Sequence, residues 1–167
     1  MELSPKTEKA LNAQLNAEMY SSNLYLSMAA WFDARMLRGF AGWMRAQATE
    51  EMGHALRFYN YLVERGNRVK IQAIAAPPTE WGSPVAVFEQ ALKHEQKVTG
   101  MIHDLVNQAV AERDHATQIM LQWFVSEQVE EESSAAEMLD KLKTLSKTPA
   151  GIVILDAEAA KRKAEAE

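Results

Sequence analysis

Apolar residues recur at alternating steps of three and four along four long stretches of the chain, a period that predicts four amphipathic helices. Ser4 and Pro5 favour the start of the first helix, because the hydroxyl caps backbone N–H groups and proline suits the first helical position. Gly66-Asn67 favours the end of the second helix. Gly39 is expected to serve a tight turn between the first two helices. The predicted helices cover residues 5–34, about 40–65, about 84 to a turn at 112–114, that turn to about 145, and a short fifth segment at about 149–162.

The interval from 66 to 83 lacks a helical period and contains Pro77-Pro78 and Gly82-Ser83-Pro84. A helix of about 26 residues is ~39 Å long, and about 18 extended residues reach up to ~60 Å. The interval is therefore long enough to run along a bundle and start the third helix parallel to the second. This predicts an all-α fold with one domain over residues 1–167. Its four-helix bundle has one long crossover, and the short fifth helix docks on this chain or on another copy.

The residues at the alternating steps of three and four form an apolar stripe along each long helix. Near the midpoint of each helix, polar side chains interrupt this stripe. Burying an ionised carboxylate is costly unless it is paired or coordinates a metal. No lysine or arginine falls on the four stripes near this level, so a bound cation is the simplest partner. Carboxylate and imidazole together suit iron or manganese, and zinc binds such groups too. The interrupting residues are Glu18 on the first helix, Glu51 and His54 on the second, Glu95 on the third, and Gln128 and Glu131 on the fourth.

Glu51 and His54 are three residues apart and therefore share one face of a helix. A glutamate from each of two helices and a Glu-x-x-His pair from each of the other two, with one long crossover, is typical of ferritin-like di-iron proteins. This chain departs from that pattern, because residues 128–131 read Gln-Val-Glu-Glu where the second pair would stand. An amide is a weaker ligand than an imidazole, so we expect one metal position to release its ion easily.

Over nearly its whole length the chain resembles the non-haem ferritins of bacteria and archaea. The resemblance is carried by residues 16–18 with Tyr20 and Tyr25, and by residues 50–54, 93–95 and 121–132. It implies that Tyr25 and Trp123 lie close enough to a ferroxidase centre to supply electrons. It also implies a hollow 24-subunit shell with the fifth helix at the four-fold axis. The iron ligands that it implies are Glu18, Glu51, His54, Glu95 and Gln128 at the ferroxidase centre, and Glu50, Glu127, Glu130 and Glu131 at a third iron position.

The expected function is iron storage with ferroxidase activity. The protein would bind Fe²⁺, oxidise it with dioxygen or hydrogen peroxide at the di-iron centre, and keep the product as a ferric mineral inside the shell. One alternative is a haem-containing bacterioferritin, since Met52 falls where those proteins resemble this motif; we expect no haem, because they carry the second Glu-x-x-His pair. Another is a rubrerythrin-like di-iron peroxidase, which would require that same pair and a cysteine-rich iron domain.

The composition of the chain argues against several other classes of partner and of metal site. The chain has 167 residues, a formal net charge of −5 and no cysteine, which argues against nucleic acid as the main partner and excludes disulfides and thiolate metal sites. Residues 1–12 lack the apolar core of a secretory signal, and no apolar run approaches the ~20 residues of a membrane-spanning helix. We expect a cytoplasmic protein.

His94, His103 and His115 fall off the stripes and are expected at the surface or an interface, with His115 a candidate to line a channel.

Overall fold

The protein is an all-α bundle with a short additional helix, as the sequence predicts. The structure is a computed structural model that describes residues 2–162, and it contains no strand within them. None of the described helices combines the length and the apolar character needed to cross a membrane. The helices are α1 (Pro5–Asp33), α2 (Arg38–Glu64), α3 (Pro84–Ala111), α4 (His115–Leu145) and α5 (Pro149–Ala159).

Side-chain caps define where the helices begin. The N-cap residues of α1, α3, α4 and α5 each accept a hydrogen bond from the backbone N–H three residues further on, which satisfies a donor that has no partner inside the helix. Proline follows the cap in α1, α3 and α5. The capping residues are Ser4, Ser83, Asp114 and Thr148.

The apolar core consists of two clusters, one toward each end of the bundle. The first cluster includes Met28, Phe32, Phe40, Phe88 and Leu142. The second includes Leu11, Leu15, Phe58, Ile102 and Phe124. Along every long helix, the polar residues that interrupt the stripe lie between the two clusters. Both α2 and α3 run from the first cluster to the second, so they are parallel, as the long crossover predicts.

The crossover has neither helix nor strand over residues 67–81 and runs alongside α1. Gly66 adopts a φ of 74° and ends α2, where Asn67 N–H also donates to the carbonyl of Leu62. Further along, Lys70 N–H donates to Asn12 Oδ1 at 2.6 Å. The first of these bonds holds the start of the crossover on α2, and the second holds it against α1.

The prediction that Gly39 serves a tight turn is wrong. Met36 takes the left-handed conformation between α1 and α2, with a φ of 61°, and Gly39 is already part of α2. Gly39 is small for another reason: a Cβ atom built on it would lie 1.7 Å from the carbonyl oxygen of Asp156 on α5. The same Asp156 caps α2, because its Oδ1 accepts a 2.9 Å hydrogen bond from Phe40 N–H. Thus α5 docks on its own chain, against α2 and α4.

Candidate metal centre

The polar residues of the four stripes meet at the middle of the bundle. The six side chains are buried, with no more than 5% of any residue exposed. They come from all four long helices, so closing the bundle is what brings them together. We call this set the buried centre: Glu18, Glu51, His54, Glu95, Gln128 and Glu131.

The donor atoms of the buried centre form overlapping groups that share Glu51. Glu18, Glu51 and His54 offer ligand atoms within 4.8 Å of one another, and so do Glu51, Glu95 and Glu131. His54 Nδ1 lies 3.4 Å from Glu51 Oε2. Because one carboxylate belongs to both groups, two cations bound here would be neighbours bridged by Glu51.

Amide side chains orient the carboxylates of the buried centre. Gln14 Nε2 donates to Glu18 Oε1 at 2.7 Å. Gln47 Nε2 donates to Glu51 Oε1 at 3.1 Å and also to Glu131 Oε2 at 2.6 Å. Sequence reasoning assigned no role to either glutamine. A signal was present, because each stands four residues before its glutamate and therefore on the same helical face.

Gln128 is held beside Glu95. Its Nε2 lies 3.3 Å from Glu95 Oε2 and 3.3 Å from the hydroxyl oxygen of Thr99, to both of which it donates. The amide nitrogen cannot bind a cation, so the carbonyl oxygen of this side chain is the atom available as a ligand.

Tyr25 of α1 and Trp123 of α4 contact different ligands of the buried centre. The Tyr25 hydroxyl, fully buried on α1, donates a hydrogen bond to Glu95 Oε1. The Trp123 ring lies edge-on to His54, with 5.4 Å between the ring centroids. Both aromatic side chains are therefore within contact distance of a predicted iron ligand.

The three remaining histidines are only partly where they were expected. His103 and His115 are exposed on the described chain. His94, in contrast, is half-buried, with Nε2 at 2.7 Å from Ser21 Oγ and its ring 6.3 Å from that of Tyr25. Burial lowers the pKa of the His94 imidazole.

Burial also decides the protonation of the glutamates. Loss of solvent, followed by repulsion from the Glu51 charge, raises the pKa of Glu18 to about 8 and that of Glu131 to about 8. The same two causes raise the pKa of Glu95 well above its usual range. Without a cation, Glu18 and Glu131 therefore hold protons at pH 7, and binding a cation would release them.

The other predicted ligands lie around an acidic cavity of about 300 Å³ beside the buried centre. Glu50 is buried, Glu127 is half-buried with Oε1 3.8 Å from His54 Nε2, and Glu130 is exposed. Glu131 belongs to both places. Arg162 also reaches the cavity. The sequence did not predict this, because Arg162 follows α5 and lies on none of the four stripes. The acidic cavity is lined by Glu50, Glu127, Glu130, Glu131, Ser134 and Arg162.

The buried centre has the chemistry of a cation site. Glu18 Oε2 is buried and accepts no hydrogen bond from any residue within 2–162. A buried acceptor without a donor is costly, and a bound cation would satisfy it. Several carboxylate oxygens with one imidazole are a donor set that suits ferrous iron.

Comparison with known proteins identifies the family of this chain. The ferritin-like domain family matches residues 8–145. A bacterial non-haem ferritin from Bacteroides fragilis is 45% identical over 160 residues, which cover 96% of this chain and 99% of the relative. A bacterial non-haem ferritin from Escherichia coli O6:H1 is 38% identical over 156 residues, covering 93% of this chain and 94% of that protein.

Solved structures give the same answer. A ferritin of Archaeoglobus fulgidus engineered into a closed form superposes with a TM-score of 0.96 at 48% identity, covering 98% of this chain and 100% of that one. The open-pore ferritin of the same archaeon superposes with a TM-score of 0.95 at 48% identity, covering 96% and 98% of the two chains. The chain therefore belongs to the non-haem ferritins of bacteria and archaea.

Proposed function

We propose that this iron-storage protein oxidises Fe²⁺ at the buried centre and keeps the ferric product as a mineral inside a shell of many copies. The observation that carries the proposal is the shared Glu51 carboxylate, which belongs to two adjoining groups of buried ligand atoms. Two ferrous ions held side by side there can each give one electron to a single oxidant.

The electrons and protons of this reaction balance simply. Two Fe²⁺ ions become two Fe³⁺ ions, and dioxygen takes up the two electrons with two protons and leaves as hydrogen peroxide. If the oxidant is hydrogen peroxide, the same two electrons and two protons yield two water molecules. Fe²⁺ enters as substrate, and the glutamates of the buried centre lose their protons as it binds.

Tyr25 and Trp123 are proposed to supply further electrons. The Tyr25 hydroxyl donates to Glu95, so loss of an electron from the phenol can be accompanied by transfer of its proton to that carboxylate. Trp123 lies edge-on against His54, a proposed iron ligand of α2. One electron from each of the two side chains, added to the two from iron and taken up with four protons in all, would reduce dioxygen to two water molecules before it leaves the protein.

Gln128 is proposed to weaken iron binding at the second position, so that the ion leaves it readily. Its neutral amide holds iron less firmly than an imidazole at this point would. An ion leaving the buried centre meets the acidic cavity, where Glu50, Glu127 and Glu130 are the proposed ligands of a third iron position. Glu131 borders both places and offers a continuous route between them.

Assembly into a 24-subunit shell completes the proposal. On the described chain, α5 leaves Val153 and Ile154 exposed, at 66% and 61%, which is the apolar surface expected of a helix that packs on other copies. We place α5 at a four-fold axis of that shell, in the cytoplasm, with the mineral in the cavity.

The test is a double variant, Glu51→Ala with His54→Ala, compared with the double variant Asp104→Ala with His103→Ala. The control removes an acid and a histidine that are exposed on α3. We expect Fe²⁺ oxidation, followed by absorbance after mixing with aerobic buffer, to slow by about 100-fold or more in the first variant. The control should match the wild type. An assembled first variant that oxidises iron at the wild-type rate would overturn the proposal.

A further inference from the structure

Arg162 brings a positive charge into the acidic cavity. Its Nη2 lies 2.6 Å from Glu50 Oε2, and its guanidinium carbon is 4.1 Å from the centroid of the Trp43 ring. Glu50 is 6% exposed, so this ion pair is shielded from solvent on the carboxylate side. Stacking on an aromatic ring adds a further attraction to the cation.

The docking of α5 holds Arg162 in this position. Asp156 caps α2 by accepting the Phe40 N–H, and the backbone of α5 packs directly on Gly39. Near the end of α5, Glu158 accepts a 2.6 Å hydrogen bond from Lys141 of α4. The guanidinium is thus delivered by an anchored helix that ends three residues earlier, at Ala159.

The charges around the acidic cavity are unequal. Four carboxylates line it, and Arg162 is the one cationic side chain among its described lining residues. Arg162 Nη1 is also buried and donates to no residue within 2–162, so the guanidinium retains a donor that is not committed to Glu50. The Arg162 guanidinium therefore pairs with one of four carboxylates in an environment that would also bind a divalent metal ion.

We propose that Arg162 is a tethered cation that competes with iron for Glu50 in the acidic cavity. An iron ion bound by Glu50, Glu127 and Glu130 must displace the guanidinium, and the guanidinium returns to Glu50 when the ion leaves. Arg162 thereby weakens metal binding at this position and favours release of the ion toward the mineral. The identity of the ion rests on the proposed function, whereas the competition between the two cations does not.

The test uses Zn²⁺, which is not oxidised, with the assembled metal-free protein and the variants Arg162→Gln and Arg162→Lys. The matched control is Lys161→Gln, which removes a neighbouring positive charge that is exposed. Titration calorimetry would give the affinities, and anomalous scattering from crystals would assign each ion to its position. In Arg162→Gln we expect Zn²⁺ to bind beside Glu50 about tenfold more tightly. Arg162→Lys, which keeps the charge, and Lys161→Gln should stay near the wild type.

Tighter binding is the diagnostic result, because a residue with only a structural role would weaken the site when removed. Unchanged or weaker Zn²⁺ binding beside Glu50 in Arg162→Gln would overturn the proposal. Wild-type crystals soaked in Zn²⁺ give a test that does not depend on a variant: Zn²⁺ bound to Glu50 with Arg162 still paired to the same carboxylate would also overturn it. Zn²⁺ at Glu51 and His54 is read separately in the same crystals, so absence there counts against the proposed function alone.

Discussion

Gln47 on α2 and Glu131 on α4 are joined across the bundle by a hydrogen bond of 2.6 Å from Nε2 to Oε2. The same nitrogen donates to Glu51 Oε1 at 3.1 Å. One amide group therefore positions two carboxyl groups from different helices within the buried centre. This neutral donor positions the carboxylates while leaving their remaining oxygens for a cation.

Replacing Gln47 by Met keeps the length of the side chain and removes both hydrogen bonds. We expect Fe²⁺ oxidation to slow by about 10- to 100-fold, because residues that orient metal ligands have effects of this size. The measurement is the initial rate of iron oxidation, together with the Zn²⁺ affinity of the buried centre. Gln96→Met, at an exposed position on α3, is the control. Equal rates in the two variants would show that Gln47 does not organise the ligands.

Metal binding should become tighter as the pH rises toward 8. The raised pKa values of Glu18 and Glu131, each about 8, mean that both carboxyl groups carry protons at pH 7 and must lose them when an ion binds. Calorimetric titration with Zn²⁺ in buffers of different ionisation enthalpy should detect about one or more protons released per ion at pH 7. Affinities that stay constant between pH 6 and 8 would contradict this.

The same pKa shifts set the sign of the stability change in the metal-free protein. Glu18 and Glu131 bind protons more tightly in the folded state than at the ordinary pKa of 4.5, so their contribution falls as the pH rises from about 4.5 to 8. Below that window both states are protonated and the contribution is constant. Denaturant unfolding of metal-free protein across this range measures it, and Glu18→Gln should flatten the dependence.

The sequence was sufficient to predict the bundle and the buried centre because both follow from periodicity. Glu51 and Glu95 interrupt apolar stripes at mid-helix, and the long crossover then dictates which midpoints coincide. Gln47 was visible on its stripe but needed the distance to Glu131 before its role was apparent. Arg162 was out of reach, since its place beside Glu50 depends on how α5 docks, and no pattern within 149–162 specifies that.

A second Glu-x-x-His pair can be built on α4 by combining Gln128→Glu with Glu131→His. We expect the iron to leave the buried centre more slowly, because the amide and carboxylate at positions 128 and 131 become a carboxylate and an imidazole, so that the weakly binding amide is replaced by a stronger ligand. After Fe²⁺ loading, gel filtration with a chelator should leave more iron bound than in the wild type, and mineral formation should slow by about tenfold. Gln122→Glu, exposed on α4, is the control for an added acid. Wild-type retention in the double variant would mean that Gln128 does not govern release.

Gly39→Ala and Gly42→Ala should have opposite effects although the two glycines are three residues apart on α2. At Gly39 an added Cβ would stand 1.7 Å from the Asp156 carbonyl oxygen, whereas at Gly42 nothing lies within 4 Å. The Asp156 carbonyl oxygen belongs to the backbone of α5, and the backbone of α2 fixes the position of the added Cβ. Neither atom can turn aside, so α5 must move away. We expect a loss of about 1–3 kcal/mol for Gly39→Ala and a gain of about 0.5–1 kcal/mol for Gly42→Ala, which improves helix propensity.

The two glycine variants also separate the docking of α5 from the stability of α2. Hydrogen exchange should be faster in residues 149–162 of Gly39→Ala and unchanged there in Gly42→Ala, because only the first variant disturbs the cap that Asp156 provides to Phe40. Displacing α5 also withdraws Arg162 from Glu50, so Gly39→Ala should bind Zn²⁺ beside Glu50 more tightly, as Arg162→Gln does. Faster exchange in α5 without any change in that affinity would mean that the helix can move while the guanidinium stays with its carboxylate.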